Sequence, residues 1–593
     1  MIEYELKIAH PESHLVDISV IFRDLESDKL ELIFPSWSPG SYLIRDYAKS
    51  VVKAEAKDEK GNSLPCRKTA KNIWQIEGIK SKFCCFSYQV HCHDIGTSSS
   101  FVDHSHASLH GPSLFVYPSG GEEFPCQLSL KFPAFWEKVS TGLEPVSGAD
   151  RVFKANSYHE LLDSPIEIGN HQILSFDVQG IPHHIALYGK GNVEPEKFKK
   201  DIQAIVEKAI LVFDHVPYKH YTFIIQLLPQ RGGGLEHRNS TLIQVNRWKF
   251  SPEEEYRKIL SLVAHEFFHL WNVKRLAPKT LIHFDYTKEN YTDLLWAAEG
   301  ITSYYQDLIL LRAGLSTPAQ YFESAAQVYK EYLQTPGRGV QSVCESSFDS
   351  WIKFYQLRLA ESFRNLTISY YIKGALIGLA LDLLLRHSTE NKVTLDHVLR
   401  ELYHKTYLRS FTGYTLEDFK DVCQELSGKS FDEFFAQHIE GSKEFNLDEY
   451  LKLAGLNLVS KRDKETGVGY LGIELKKEEK RAIAASVPWN TPAFHAGISP
   501  EDEIVAWDGF RVYAQTLPER IKEAKPGSTH IIHLFRQEKW EEVVVVVGEK
   551  PAEWKIEQMD NADSRALELL NLWIRTTKIK EDKTDPPLIH AAQ

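Results

Sequence analysis

The stretch Ala264-His265-Glu266-Phe267-Phe268-His269-Leu270 decides how this chain is read. It has the form H-E-x-x-H inside an apolar run, the pattern of a metal-binding helix in a metallopeptidase. At 3.6 residues per turn, positions four apart lie about 40° apart around the axis, so His265 and His269 stack on one face. Two imidazoles so placed can hold one Zn²⁺ at about 2.0–2.1 Å. Glu266 projects from the same half of the cylinder, where it can act as general base on the attacking water. Upstream, Ser251-Pro252-Glu253-Glu254 predicts a serine N-cap, proline at the first helical position and a capping-box glutamate. Ile259, Leu260, Leu262, Val263, Phe267 and Leu270 supply the apolar surface.

Two histidines leave a catalytic ion short of a ligand, because such sites take three protein ligands and keep one position for water. The metzincin pattern H-E-x-x-H-x-x-G-x-x-H with a Met-turn is excluded. Asn272 stands at its glycine, Arg275 at its third histidine, and the only methionines are Met1 and Met559. The remaining solution is a carboxylate on a following helix. Glu299 lies in Leu294-Leu295-Trp296-Ala297-Ala298-Glu299-Gly300-Ile301, thirty positions after His269. A carboxylate among so many apolar neighbours needs a partner to be buried, and a cation supplies one. Glu289, Asp293 and His283 are rivals in polar surroundings. A His₂Glu set also accepts cobalt or manganese.

Around this helix the chain divides by pattern. Its 593 residues exceed what one core supports, so several domains are expected. Residues 1–168 alternate apolar and polar in short runs, as in Val16 to Val20, Leu30 to Ile33 and Phe83 to Val90, which predicts a β-rich domain. Its histidines His91, His93, His104, His106 and His110 match no common ligand spacing and read as polar loop residues. Residues 169–455 begin as mixed strand and helix, with Glu194 to Phe213 an amphipathic helix and Tyr221 to Leu228 a strand. This strand runs into Arg231-Gly232-Gly233-Gly234-Leu235-Glu236-His237, and the glycines suggest a sheet edge approached closely by another group, or a simple tight bulge. From Ser251 the pattern is helical, with Leu294 to Leu311, Leu366 to Leu385, Leu395 to Tyr407, Leu416 to Leu426 and Phe431 to Ile439 as the main helices. A charged linker at 461–466 lies near the start of a further β-rich unit, 456–550, and a tail, 551–593, follows. In the tail, Leu567 to Trp573 reads as a docking helix and the last ten residues as frayed.

Composition narrows the function. A net charge of −12 argues against nucleic acid or an anionic membrane as partner. No run approaches the ~20 apolar residues of a membrane span. Seven cysteines, scattered and odd in number, form no disulfide framework, and the N-terminus lacks the layout of a signal peptide, which together predict a cytoplasmic protein.

Three segments carry a specific resemblance. His265 to Arg275 (H-E-F-F-H-L-W-N-V-K-R), Trp296-Ala297-Ala298-Glu299-Gly300 and Gly233-Gly234-Leu235-Glu236-His237 resemble the glycyl aminopeptidase family of gluzincin zinc metallopeptidases. Pro35-Ser36-Trp37-Ser38-Pro39-Gly40-Ser41-Tyr42 matches it too, so the likeness spans nearly the whole chain. It implies a multidomain α+β protein: a β-rich N-terminal domain, a thermolysin-like, mostly helical catalytic domain and a C-terminal PDZ domain. The related aminopeptidase N family carries a G-x-M-E-N motif; here Leu235 and His237 replace its methionine and asparagine, which fits the glycyl branch better.

The resemblance also implies roles. Glu236, beside Gly233 and Gly234, would bind the free α-amine of a peptide substrate. Tyr371, in Tyr371-Ile372-Lys373-Gly374, would stabilise the oxyanion, with Tyr370 adjacent as the alternative. One zinc per chain would sit on His265, His269 and Glu299, and small N-terminal residues, glycine and alanine, would be preferred. In the PDZ-like unit, Tyr470-Leu471-Gly472-Ile473 resembles the loop that captures a peptide's terminal carboxylate beside an open strand. The competing readings are a non-catalytic PDZ scaffold with a structural metal, a zinc endopeptidase, and ester or epoxide hydrolysis by the same centre.

Overall fold

The computed structural model describes residues 1–230, 232–354, 364–461, 467–477 and 480–575. Most of the expected charged linker, and the last ten residues, lie outside these, as does Arg231.

The N-terminal unit is all but free of helix. Ile2–Lys7, Leu15–Phe22, Cys84–His91 and Cys126–Lys131 are central strands of an eight-stranded sheet. They alternate buried and half-buried along their length, as a one-sided sheet requires. The inward set, including Tyr4, Leu6, Val16, Ile18, Val20, Phe86 and Tyr88, forms its own core, which reaches Ile168 and also takes in Tyr286 of the middle unit. One segment leaves that core. Trp37 and Tyr42, from the Pro35 to Tyr42 stretch, are buried in the core of the middle unit, and the Trp37 indole N–H donates to Asp285 O at 2.8 Å.

The histidines of this unit are not all loop residues. His106 and His110 are buried, and His106 Nδ1 lies 2.7 Å from Glu167 Oε1. The buried carboxylate supplies the polar partner that lets an imidazole leave the surface.

The middle unit is built on a five-stranded sheet: β1 (Gln172–Val178), β2 (Ile181–Tyr188), β3 (Tyr221–Leu228), β4 (Gly233–Glu236) and β5 (Ser240–Asn246). Their order is β1-β2-β3-β5-β4. β2, β3 and β5 run parallel, and β4 is an antiparallel edge strand. β3 is buried along its whole length, which is why its sequence is a continuous apolar run and not an alternation. Helices α1 (Pro195–Phe213), α2 (Glu253–Phe268), α3 (Ile301–Arg312) and α4 (Tyr370–Ser388) pack on and beyond the sheet in one large core.

Two helix starts differ from expectation. α2 begins at Glu253, its N-cap is Pro252, and no side-chain cap bond forms. Ser251 therefore does not cap it; Glu253, Glu254 and Glu255 in the first turn satisfy the helix dipole instead. α4 starts at Tyr370, capped by the Ser369 hydroxyl, and not at Leu366.

The third unit has a separate core of Leu471, Ala484, Ile504, Ile532, Leu534 and Val545. Its flanking strands, Leu456–Lys461 and Glu553–Gln558, pair with each other, and Leu456 and Ile556 belong to the middle core. The expected tail helix forms as Ser564–Trp573 and docks through Trp573, whose indole N–H donates to Tyr304 Oη at 3.0 Å. No described helix is long and apolar enough to cross a membrane.

Candidate active site

α2 delivers His265 and Glu266 from its last turn, and His269 is its C-cap residue, still in right-handed helical conformation. Both imidazoles therefore keep the one-turn stacking that the spacing predicts. Their Nε2 atoms lie 3.0 Å apart. Each ring is fixed through its other nitrogen. His265 Nδ1 meets Gln306 Oε1 at 2.8 Å, and His269 Nδ1 meets Asn272 O at 2.7 Å. Those oxygens can only accept, so both Nδ1 atoms carry protons and both Nε2 atoms face inward.

Glu299 enters from a five-residue π-helical turn, Trp296–Gly300, that runs into α3. The wide turn re-aims one side chain out of an otherwise apolar helix, a use such turns often have. Glu299 Oε2 lies 3.2 Å from His269 Nε2 and 3.5 Å from His265 Nε2. Burial notwithstanding, the Glu299 carboxylate pushes His269 up to about 10, while the two imidazoles hold Glu299 well below the usual carboxylate range. The field at this point favours a cation. With two inward Nε2 atoms and one carboxylate oxygen mutually within 4.8 Å, the three side chains fit one divalent ion, which would take the place of the His269 proton. Glu289, Asp293 and His283 join no such group among the described residues.

Asn272 and Gln306 are functional neighbours that motif reading passed over. The Asn272 amide donates to Ala297 O at 2.9 Å and to Ala298 O at 3.1 Å, tying the turn after α2 to the turn that carries Glu299. Gln306 lies seven residues after Glu299, two helical turns along the same face. That spacing is the signal that could have found it.

Glu266 is buried, and burial pushes its carboxyl up to about 8. β4 presses against it: a Cβ on Gly234 would lie 2.2 Å from Glu266 Oε1. Only glycine allows the edge strand so close. Gly233, next to it, has φ +128° and open space around it. At the end of β4 sits Glu236, buried, with a carboxylate oxygen within 4.8 Å of both Glu266 and His269. The Tyr371 ring lies 6.2 Å from that of His265, while Tyr370 is fully buried in the core. α4 reaches this position because Gly374 meets Gly300 backbone to backbone; a Cβ on Gly300 would lie 2.4 Å from Gly374 Cα.

Behind Glu236 a cavity of about 490 Å³ opens between the N-terminal and middle units. Gly40, Asp163, His237 and Lys274 line it.

Comparison with known proteins fits this geometry. Residues 3–170 match the peptidase M61 N-terminal domain, 258–377 the M61 glycyl aminopeptidase family, and 469–547 a PDZ domain. A crystal structure of an aminopeptidase N family protein from Idiomarina loihiensis is 30% identical, covering 97% of this chain and 100% of that one, with a TM-score of 0.90. The chain belongs to the M61 glycyl aminopeptidase family. It is a metalloaminopeptidase with a C-terminal PDZ domain. An M1 zinc metallopeptidase from Deinococcus radiodurans shares 13% identity over 75% of this chain and 94% of its own, at a TM-score of 0.47. No curated protein matches the aminopeptidase significantly.

In the PDZ domain of this M61 protein, the Leu471 side chain is core and its carbonyl accepts from the Ala493 N–H at 2.9 Å. Gly472 has φ +74° and abuts Thr491; a Cβ there would lie 2.4 Å from the threonine Cβ. Tyr470 pairs with Gly548, and Ile473 packs on the core from a half-buried position. The strand that follows, Glu474–Leu475, is the sheet's edge and pairs only with Ala482–Ser486 among the described residues.

Proposed function

We propose that this protein releases single N-terminal residues from peptides by zinc-assisted hydrolysis, with His265, His269 and Glu299 holding the ion. The observation that carries the reading is the closeness of Glu236 to Glu266 and His269, within 4.8 Å. Consecutive Cα atoms are only about 3.8 Å apart. An ammonium held by Glu236 therefore leaves reach for the first carbonyl and no further, so the first peptide bond is the one presented for attack.

When bound, the cation supplies Lewis-acid polarisation of the scissile carbonyl and lowers the pKa of the attacking water. Glu266 takes the proton from that water and returns it to the departing amine. The Tyr371 hydroxyl donates to the carbonyl oxygen as negative charge develops. Glu236 holds the substrate ammonium in place. Close approach of Gly234 leaves little room beside Glu266, which supports small first residues, glycine and alanine.

The PDZ edge strand and the Tyr470 to Ile473 loop would take a peptide C-terminus by strand addition. Seven unpaired thiols support a reducing, cytoplasmic setting.

The test pairs alanyl peptides with their N-acetylated forms. Cleavage of the free peptide alone, with one residue released per turnover, is expected. Equal cleavage of both forms would mean an endopeptidase and end the Glu236 assignment.

A further inference from the structure

A substrate ammonium arriving at Glu236 meets a resident one. Lys274, five residues past His269, is partly buried, and its Nζ lies 2.9 Å from Asp163 Oδ1 but 3.8 Å from Glu236 Oε1. Only the shorter contact is a hydrogen bond. Asp163 follows the short helix Tyr158–Leu162 of the N-terminal unit, so it reaches the site from another domain. Its two carboxylate oxygens are both engaged by groups of the middle unit. Besides Lys274, His237 Nδ1 lies 3.1 Å from Oδ1, and the Arg238 backbone N–H donates to Oδ2 at 2.8 Å.

Glu236 is its opposite. Its Oε1 is buried and has no hydrogen-bond partner among the described residues. A carboxylate oxygen left so is costly unless a ligand completes it. Gly40 of the N-terminal unit lies against the Glu236 carboxylate. There φ is +86°, and a Cβ would lie 2.5 Å from Glu236 Oε1 and 2.7 Å from Oε2. The N-terminal unit thus lays bare backbone against the carboxylate and offers it no donor.

We propose that Asp163 is a positioning residue that draws the Lys274 ammonium away from Glu236, keeping the carboxylate open for the substrate's own ammonium. This rests on Glu236 as the amine site. The chemistry is a competition between two ammonium groups for one oxygen. Lysine carries its charge on a flexible four-carbon stem. Freed from Asp163, it would close from 3.8 Å to about 2.8 Å, a charge-assisted bond. The substrate would then have to break an internal ion pair before binding. Asp163 need never touch the substrate to set its affinity.

Asp163→Asn tests the idea, using the full-length metal-loaded enzyme. The KM for alanyl-p-nitroanilide and the inhibition constant of glycinamide should both rise about tenfold or more, with kcat within about threefold of the parent. In Asp163→Asn/Lys274→Met the competing ammonium is gone, and both constants should return to within about threefold of the parent. The double variant removes the two charges as a pair, so it keeps the test open should the single variant fold poorly. Unchanged constants in Asp163→Asn, or a tenfold rise that persists in the double variant, would overturn the proposal. Glu236→Gln separates the two layers. If it binds substrate and glycinamide as the parent does, the amine site itself is wrong. If it weakens both while Asp163→Asn does not, only the role of Asp163 falls.

Discussion

Gly234→Ala is the smallest change that should disable this enzyme. Gly234 lies in β4 outside the left-handed region, so alanine suits the backbone itself. The obstacle is Glu266. An added Cβ would sit 2.2 Å from its Oε1, 2.3 Å from Cδ and 2.5 Å from Cγ. Ordinary contact begins near 3.5 Å, so the side chain must retreat by about 1.3 Å. Because three consecutive atoms clash, rotating the carboxylate alone does not relieve it. A misplacement of about 1 Å in a catalytic group costs about 10²-fold in rate, or about 2.7 kcal/mol. We therefore expect kcat for alanyl-p-nitroanilide to fall about 100-fold, with metal content and melting temperature close to the parent. Gly232→Ala is the control, since nothing lies within 4 Å of its Cβ, and it should keep full activity. A Gly234→Ala enzyme with bound metal and kcat within about threefold of the parent would refute the placement of the base against β4.

Other expectations are as direct. Tyr371→Phe should lower kcat about 10²–10³-fold at little changed KM, as loss of an oxyanion donor does, whereas Tyr370→Phe should remain near the parent rate. Gln306→Leu removes the partner of His265 Nδ1 and should weaken metal binding about 10–100-fold in chelator competition. His183 reports on stability. Burial pushes it down to about 4, and its Nε2 lies 2.8 Å from the Tyr218 hydroxyl. Its folded pKa lies below the unfolded value of about 6.5, so its contribution is complete above pH 6.5 and is lost as pH falls toward 4, by about 3 kcal/mol. Melting curves between pH 7 and 4.5 should slope downward in the parent and less so in His183→Asn.

What the sequence made legible was what local periodicity and chemistry carry. The one-turn histidine pair needs only a helix, and a lone carboxylate among Leu294 to Ile301 advertises its own need for a partner. β3 was readable as a strand from its apolar run, and β4 as an approached edge from its glycines. Other features depend on contacts that close long loops. Asp163 meets Lys274 across 111 positions, and Gly40 meets Glu236 across nearly two hundred. No window of sequence contains both partners. The π-helical turn at Trp296–Gly300 differs from an α-helix by one residue of winding, which side-chain pattern does not encode. The Ser251 cap failed for a simpler reason: α2 starts at Glu253, so Pro252 holds the N-cap position and Ser251 lies one residue outside it. One omission was avoidable. Helix Pro318–Leu333 starts with a Thr317–Gln320 capping box and a proline in its first turn, a legible signal.

The central claim is that one divalent ion is gripped by His265, His269 and Glu299. Metal analysis of the purified protein, with anomalous scattering at the zinc edge from its crystals, tests it most directly. One zinc per chain bonded to those three side chains, absent from Glu299→Ala, is the predicted result. An active enzyme with no ion there, or with its ion held by other residues, would contradict the account.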